Sequence, residues 1–248
     1  IIRLSVAATA VSIVAMIITL AFVNGFQEKV ADKIFGFWGH IRVQKYETGK
    51  SLISEELPLT KNKAVENSLA TAPGVVSYQS FATKSAVLES NTEIEGVLIK
   101  GIEKNENHSA LKKFLVAGRW MQFTDSLYSK ETIVSDAVAK QLQIKINDTI
   151  KVHFVSTNTD VQKTYRKLVV VGFYHTGIDE YDKLFMIADI NLIRRINNWE
   201  PDQIGGYEVF VDQYQNIDAI SSGLSNALPS EWMSKSIKEI YPNIFDWL

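Results

Sequence analysis

The side chains best able to do chemistry are few, and their spacing suits none of the common reactions. The four histidines are His40, His108, His153 and His175. They lie far apart in the sequence without metal-ligand spacing, and each reads as a surface or capping histidine. There is no Cys, which excludes a disulfide framework, Cys-ligated zinc and a thiolate nucleophile. The G-x-S-x-G elbow, the H-E-x-x-H helix and the phosphate-binding P-loop are all absent from the sequence. The acidic run Asp179-Glu180-Tyr181-Asp182 could bind a cation through carboxylate oxygens, but it lacks EF-hand spacing. A solvated turn that caps neighbouring backbone is the preferred reading. Asn107-His108-Ser109 and Asn147-Asp148-Thr149 match an N-glycosylation tripeptide too common to carry weight. No residue is assigned as catalytic, cofactor-binding or metal-ligating, and no cofactor is expected.

The remaining signal lies in how apolar residues are distributed. The chain has 248 residues, with 26 Lys+Arg against 28 Asp+Glu, a net charge of -2 that gives no drive toward nucleic acid. Its mean hydropathy of -0.01 resembles a soluble protein. That mean hides two populations, because Leu4 to Gln27 contains no charged residue. A bilayer core of ~30 Å needs about 20 apolar residues of helix, and Leu4–Val23 supplies them. A cleaved signal peptide would show a shorter apolar core and a small-residue site after it; Asn24-Gly25-Phe26-Gln27 is no such site. Arg3 favours a cytoplasmic N-terminus and places the bulk of the chain on the other side.

Ser5, Ala8, Ser12, Ala15 and Thr19 recur at spacings of 3 and 4 and form a stripe of small side chains. Such stripes let membrane helices approach closely, so packing against another membrane helix is expected. Ile13, Met16, Ile17, Leu20 and Val23 occupy the bulkier remainder, where acyl chains could lie. Beyond Gly25, Phe26, Val30, Ile34 and Phe37 continue at helical period among charged residues, which predicts a stalk ended by Gly36 and Gly39. Trp38 and Trp247 are candidates for an interfacial role, and Trp120 and Trp232 equally for the core.

The rest reads as α+β. Strands are expected at 40–46, 75–88, 92–102, 131–134, 149–155, 167–174, 184–188, 206–211 and 232–237, with the Leu168-Val169-Val170-Val171 run doubly buried. Helices are expected at 59–72, at 190–197, at 217–228, and from an Ser135 N-cap to Leu142. A β-α-β-β unit and a later β-α-β unit thus flank an insert of roughly 100 residues, and two such halves commonly close into one layered domain. The start at Ile1 and the finish at Leu248 read as cuts through a longer protein.

Several phrases carry a resemblance. Asn24-Gly25-Phe26, Lys33-Ile34-Phe35-Gly36, His40-Ile41, Gly118-Arg119, Val171-Gly172-Phe173-Tyr174-His175-Thr176-Gly177 with Glu180-Tyr181-Asp182, and Tyr207-Glu208-Val209-Phe210-Val211-Asp212 run in order along nearly the whole chain. Together they resemble the bacterial lipoprotein-releasing (Lol) permease subunits, within the FtsX-like permease superfamily that carries a MacB-like periplasmic core domain. The resemblance implies one N-terminal transmembrane helix with its stalk (1–37) and a split porter-like βαββ/βαβ domain (38–102 and 205–237). It also implies an inserted, mostly-β sabre-like domain (103–204) and a lead into a second transmembrane helix (238–248). It implies a non-catalytic permease subunit in the bacterial inner membrane, its large domain in the periplasm, driven by a separate cytoplasmic ABC ATPase. A second permease subunit, identical or different, lipoprotein cargo and a periplasmic lipoprotein carrier are the implied partners. The chain departs from the pattern at Gln143 and Asn147, where family members often carry Gly, and in a short proline-free loop near 156–165 where one subunit type has a carrier-binding hook. A permease of the same scaffold exporting a macrolide or toxin is the alternative; an extracytoplasmic sensor domain on a receptor is another.

Overall fold

The structure, a computed structural model, describes residues 2–46, 55–90, 93–124, 127–154 and 165–245. The expected loop near 156–165 lies outside these residues apart from Tyr165, and so does Trp247. Helix α1 (Ile2–Trp38) is a single run of 37 residues, about 55 Å at 1.5 Å per residue. Some 20 such residues suffice to cross a bilayer core. The helix passes through Gly25 and Gly36 and stops at Gly39, whose φ of +72° is left-handed. The Gly39 amide donates to the Phe35 carbonyl at 2.8 Å, closing the last turn.

After α1 the chain forms strands, several of them in consecutive pairs, separated by short helices. They are β1 (Ile41–Lys45), β2 (Leu59–Thr60), α2 (Lys63–Thr71), β3 (Val75–Glu89), β4 (Ile94–Ile102), α3 (Ser109–Lys112) and β5 (Leu115–Gly118). Then come β6 (Glu131–Ser135), α4 (Asp136–Gln141), β7 (Thr149–Phe154), β8 (Tyr165–Tyr174), α5 (Asp179–Leu184), β9 (Phe185–Asp189) and α6 (Ile190–Asn197). The last are β10 (Gln203–Ile204), β11 (Gly206–Val211), α7 (Ile217–Ala227), β12 (Trp232–Ser236), α8 (Ile237–Ile240) and α9 (Pro242–Phe245).

Ten of these strands share one sheet in the order β12-β1-β11-β3-β4-β9-β6-β8-β5, with β7 paired to both β3 and β8. β1 lies antiparallel between β11 and β12, and β11 lies antiparallel between β1 and β3. The two flanking units therefore interleave as split βαβ units: α2 joins β1 to β3 across β11, and α7 joins β11 to β12 across β1. Neither unit completes that half of the sheet without the other. The middle block joins through β9, which runs parallel to β4. β3 is long enough to serve both blocks, pairing β11 through its first half and β7 from Ala86 to Glu89. Between those partners two glutamates satisfy its backbone: the Thr83 amide donates to Glu56 at 2.7 Å and the Ser85 amide to Glu55 at 2.8 Å.

Ser135 caps α4, its hydroxyl accepting from the Val138 amide at 3.0 Å. β8 has partners on both sides and buries Leu168, Val170 and Val171. The extent of α2 and the setting of Trp38 differ from expectation. The helix expected over 59–72 begins only at Lys63, because Leu59–Thr60 pairs with β10 and Asn62 caps the helix by accepting from the Ala64 amide. Trp38 is not interfacial: it is 1% exposed, stacked edge-on to Phe185 with ring centroids 4.8 Å apart.

Candidate functional site

The outer part of α1 is the first candidate surface. Among the described residues Thr9–Trp38 is a helix long and apolar enough to cross a membrane, and none of its most apolar stretch is buried by the rest of the chain. Ile13, Met16, Ile17, Leu20 and Val23 are exposed by 41 to 65%. Ser5, Ser12, Ala15 and Thr19 are exposed too, while the Ala8 side chain is outside the described ones. The Thr19 hydroxyl donates back to the Ala15 carbonyl at 2.9 Å, so this polar group is satisfied within the helix, as lipid requires. Asn24, Gly25 and Phe26 are exposed where the apolar stretch gives way to the stalk, and Phe26 stacks on Phe22 with centroids 6.4 Å apart.

At its other end α1 plunges into the sheet. Of the expected stripe, Ile34 and Phe37 are buried, Val30 is half-buried and Phe26 is exposed; Ala31, Phe35 and Trp38 are buried beside them. Phe37 stacks on Tyr181 at 5.3 Å and lies within 5.7 Å of Tyr174 and Phe185, all from the middle block. Phe35, on the other side of the helix, stacks on His40 at 4.5 Å and Phe245 at 5.7 Å. The last turns of α1 are thus wedged between the middle block and the C-terminal segment.

Beneath this wedge lies a buried charge cluster. Strand register places Arg42 opposite Glu208, Glu208 opposite Gln79, and Lys100 opposite Thr83. Opposed residues point to one face of a sheet, so Arg42, Glu208 and Lys100 share a face. Lys100 is fully buried, with Nζ 2.7 Å from Oε1 and 2.9 Å from Oε2 of Glu208. The same ammonium donates to the Phe37 carbonyl and lies 4.3 Å from the centroid of the Trp38 ring. The Arg42 guanidinium covers the opposite demand, 4.3 Å from the Trp38 ring and 4.9 Å from Phe81. Glu56 adds a second carboxylate, held by the amide and hydroxyl of Thr83 at 2.7 and 2.6 Å. Two cations face two carboxyl groups under an aromatic roof. Burial pushes the Lys100 ammonium down to about 8 against the pull of Glu208. It pushes the Glu56 carboxyl up against Arg42 and the Thr83 hydrogen bonds.

The phrase Glu180-Tyr181-Asp182 belongs to the same junction. It starts a helix, α5, and is not the solvated turn expected: Glu180 is exposed, but Tyr181 and Asp182 are buried. Tyr181 is the platform for Phe37 and touches Tyr241, centroids 5.7 Å apart. Asp182 accepts from the Thr176 amide, the Thr176 hydroxyl and the Gly177 amide, each at 2.9 Å. Gly177 has φ of +74°, and an added Cβ would sit 2.6 Å from Nζ of the stalk's Lys33. The capping part of the expectation holds, then, and the solvation does not, because α5 is pressed against the end of α1.

The structure also gathers side chains whose separation in sequence concealed them. Asp136, His175 and Asp182 bring three ligand-capable atoms within 4.8 Å of one another. His175 Nδ1 is 3.0 Å from Asp136 and 3.3 Å from Asp182. The hydrogen bonds to Thr176, Gly177 and Lys140 already occupy these carboxylates, so the group reads as an ion-pair network. His40 caps differently, its Nδ1 accepting from the Val211 amide at 3.3 Å, and burial lowers its ring to about 4. Arg119, in the Gly118-Arg119 phrase, forks onto Glu131 at 2.7 and 2.5 Å. Lys100 and Arg42 do not stand out in the sequence because each shares its strand with a further charge, Glu95 in β4 and Lys45 in β1, and nothing local shows which of them is buried.

The family described as MacB-like periplasmic core domain matches residues 4–225 of the chain. The chain is 27% identical over 252 residues to the lipoprotein-releasing system transmembrane protein LolC of Buchnera aphidicola subsp. Schizaphis graminum, covering 95% of this chain and 57% of that protein. It is 22% identical over 244 residues to the lipoprotein-releasing system transmembrane protein LolE of Haemophilus influenzae, covering 94% and 56%. A LolC of Neisseria meningitidis serogroup B is 22% identical over 228 residues, covering 89% and 51%. The chain therefore spans about half the length of the curated relatives it matches. Among solved structures, the periplasmic region of MacB from Actinobacillus actinomycetemcomitans superimposes with a TM-score of 0.53 at 13% identity, covering 88% of this chain and 98% of that one. The extracellular domain of the noncanonic ABC-type transporter YknZ from Gram-positive bacteria gives 0.51 at 15%, covering 79% and 98%. At such identity these two likenesses concern the fold.

Proposed function

The chain belongs to the MacB-like periplasmic core domain family, and from that premise we propose that it is the first membrane helix and extracytoplasmic domain of a permease subunit that releases lipoproteins from the bacterial inner membrane. The observation that carries this reading is the match along 89 to 95% of the chain to LolC and LolE proteins, each described as part of a lipoprotein-releasing system. The uncovered apolar length of α1 supports it independently. In this reading α1 crosses the inner membrane, and the interleaved strands at 38–102 and 205–237 form a porter-like unit in the periplasm. The block at 103–204 is a sabre-like insert. The chain is mechanical: ATP is hydrolysed on a separate cytoplasmic subunit, and a second permease subunit completes the bundle.

Burying acyl chains is worth about 0.8 kcal/mol per CH2, so extraction needs both an apolar path and an external energy source. The exposed Ile13, Met16, Ile17, Leu20 and Val23 provide the path, while the small stripe from Ser5 to Thr19 packs on a neighbouring helix. The test uses the full-length subunit, reconstituted in phospholipid vesicles with its ATPase, its second permease subunit and an acylated lipoprotein. ATP-dependent release to a soluble carrier is expected, and Ile17→Asp or Leu20→Asp should abolish it at unchanged membrane levels. Transport of a macrolide or peptide with no lipoprotein release would overturn the cargo; normal release by both variants would overturn the acyl path.

A further inference from the structure

A helix leaves its last four carbonyls without intrahelical partners, and its C-terminal end favours a cation. α1 supplies none itself, since its last turn contains no basic residue. The cation arrives from the sheet. Lys100, in mid-β4, donates to the Phe37 carbonyl and is neutralised by Glu208 of β11. Lys100 therefore bonds at once to the membrane-directed helix and to strands from both flanking units, and β4 itself hydrogen-bonds to β9 of the middle block.

We propose that Lys100 is the positioning residue that fixes the direction of α1 relative to the sheet, so that a tilt of the membrane helix moves the extracytoplasmic domain as one body. Three geometric facts converge on it. The ammonium is fully buried, so water cannot replace it as the cap. Phe37 and Trp38 crowd it, with ring centroids 5.0 and 4.3 Å from Nζ, so the helix end cannot rotate without breaking cation–π contacts. The carbonyl it binds is one residue before the end of the helix, the point at which a small angular error is most amplified along some 55 Å of helix. That this rigidity serves lipoprotein release rests on the permease reading above; the rigidity itself does not.

The test separates the two. Lys100→Met alone would strand a buried carboxylate, so Lys100→Met/Glu208→Met is the primary variant, with Lys100→Arg as the conservative one. Spin labels are placed at Glu28→Cys on exposed α1 and Val76→Cys on exposed β3; residues 1–248 contain no other Cys, and any Cys elsewhere in the complex is replaced by Ser. In the full-length complex in lipid nanodiscs, the label-to-label distance distribution should be narrow in the parent and at least twofold broader in the double variant. Lys100→Arg should restore most of the narrowness. Lipoprotein released per ATP hydrolysed should fall at least tenfold in the double variant while the ATPase rate changes less than twofold. An unbroadened distribution in the folded double variant overturns the role of Lys100. Absence of release from the parent complex, with the broadening intact, overturns the permease reading and leaves the positioning role standing.

Discussion

Phe35 near the end of α1 stacks on Phe245 of α9, ring centroids 5.7 Å apart and planes inclined by 22°. The first helix and the C-terminal segment therefore meet side by side on one face of the domain. Phe35 is 3% exposed, so Phe35→Ala should cost about 3–5 kcal/mol of unfolding free energy. Phe245 is only partly buried, and Phe245→Ala should cost less. A double-mutant cycle in chemical denaturation should give a coupling of about 1 kcal/mol. Additive losses would mean the two rings are neighbours without being partners.

Asp182 carries the loop at Thr176–Gly177 on three hydrogen bonds from a buried position. Asp182→Ala leaves the buried amide and hydroxyl of Thr176 without an acceptor, which should cost roughly 2–4 kcal/mol. Asp182→Asn keeps one carbonyl oxygen and should cost about half as much. Amide exchange offers the local readout: Thr176 and Gly177 should lose protection in both variants while amides of β11 keep theirs.

How much of this was legible depended on the range of the interaction. The cap at Ser135 and the stop at Gly39 are written in the residue types themselves, and of the apolar run Leu168–Val171 all but the half-buried Val169 are buried as expected. The stalk was legible because Val30, Ile34 and Phe37 repeat every turn. The junction was not, since Arg42, Lys100 and Glu208 come from three strands that only the interleaved order brings side by side. Asp179–Asp182 misled for the same reason. Its charge density reads as solvated, and nothing local shows that Tyr181 faces α1. Leu59–Thr60 strayed because its partner, β10, lies far along the chain.

Gln143 and Asn147 flank the turn that leads into β7. Both are left-handed, with φ of +54° and +72°. Asn tolerates this region, whereas Gln carries the full steric penalty of about 1–2 kcal/mol. Gln143 is exposed, so little packing is lost on truncation. Gln143→Gly should therefore raise stability by about 1 kcal/mol, and Asn147→Gly by a few tenths at most. Thermal denaturation of the two variants distinguishes them; equal gains would sink the steric account.

Two half-buried groups give the domain opposing pH responses. Burial lowers His40 from 6.5 to about 4, so the fold holds it neutral while the unfolded chain takes up a proton below 6.5. Its contribution is complete above 6.5 and is lost as pH falls toward 4. Burial raises Glu106 from 4.5 to about 7, where it accepts from the Ser80 amide at 2.7 Å. The native state then keeps a proton that the unfolded chain releases, and this contribution is complete below 4.5 and lost as pH rises to 7. Between pH 4.5 and 6.5 the two slopes nearly cancel. Glu106→Gln mimics the protonated form and removes one of them. The difference in unfolding free energy, variant minus parent, should grow by at most roughly 3 kcal/mol from pH 4.5 to 7.5. The variant alone should also weaken on acidification from 6.5 to 4, as His40 dictates. Denaturant titrations at five pH values measure both, and a difference that stays constant with pH would show that Glu106 is ionised in the native fold throughout.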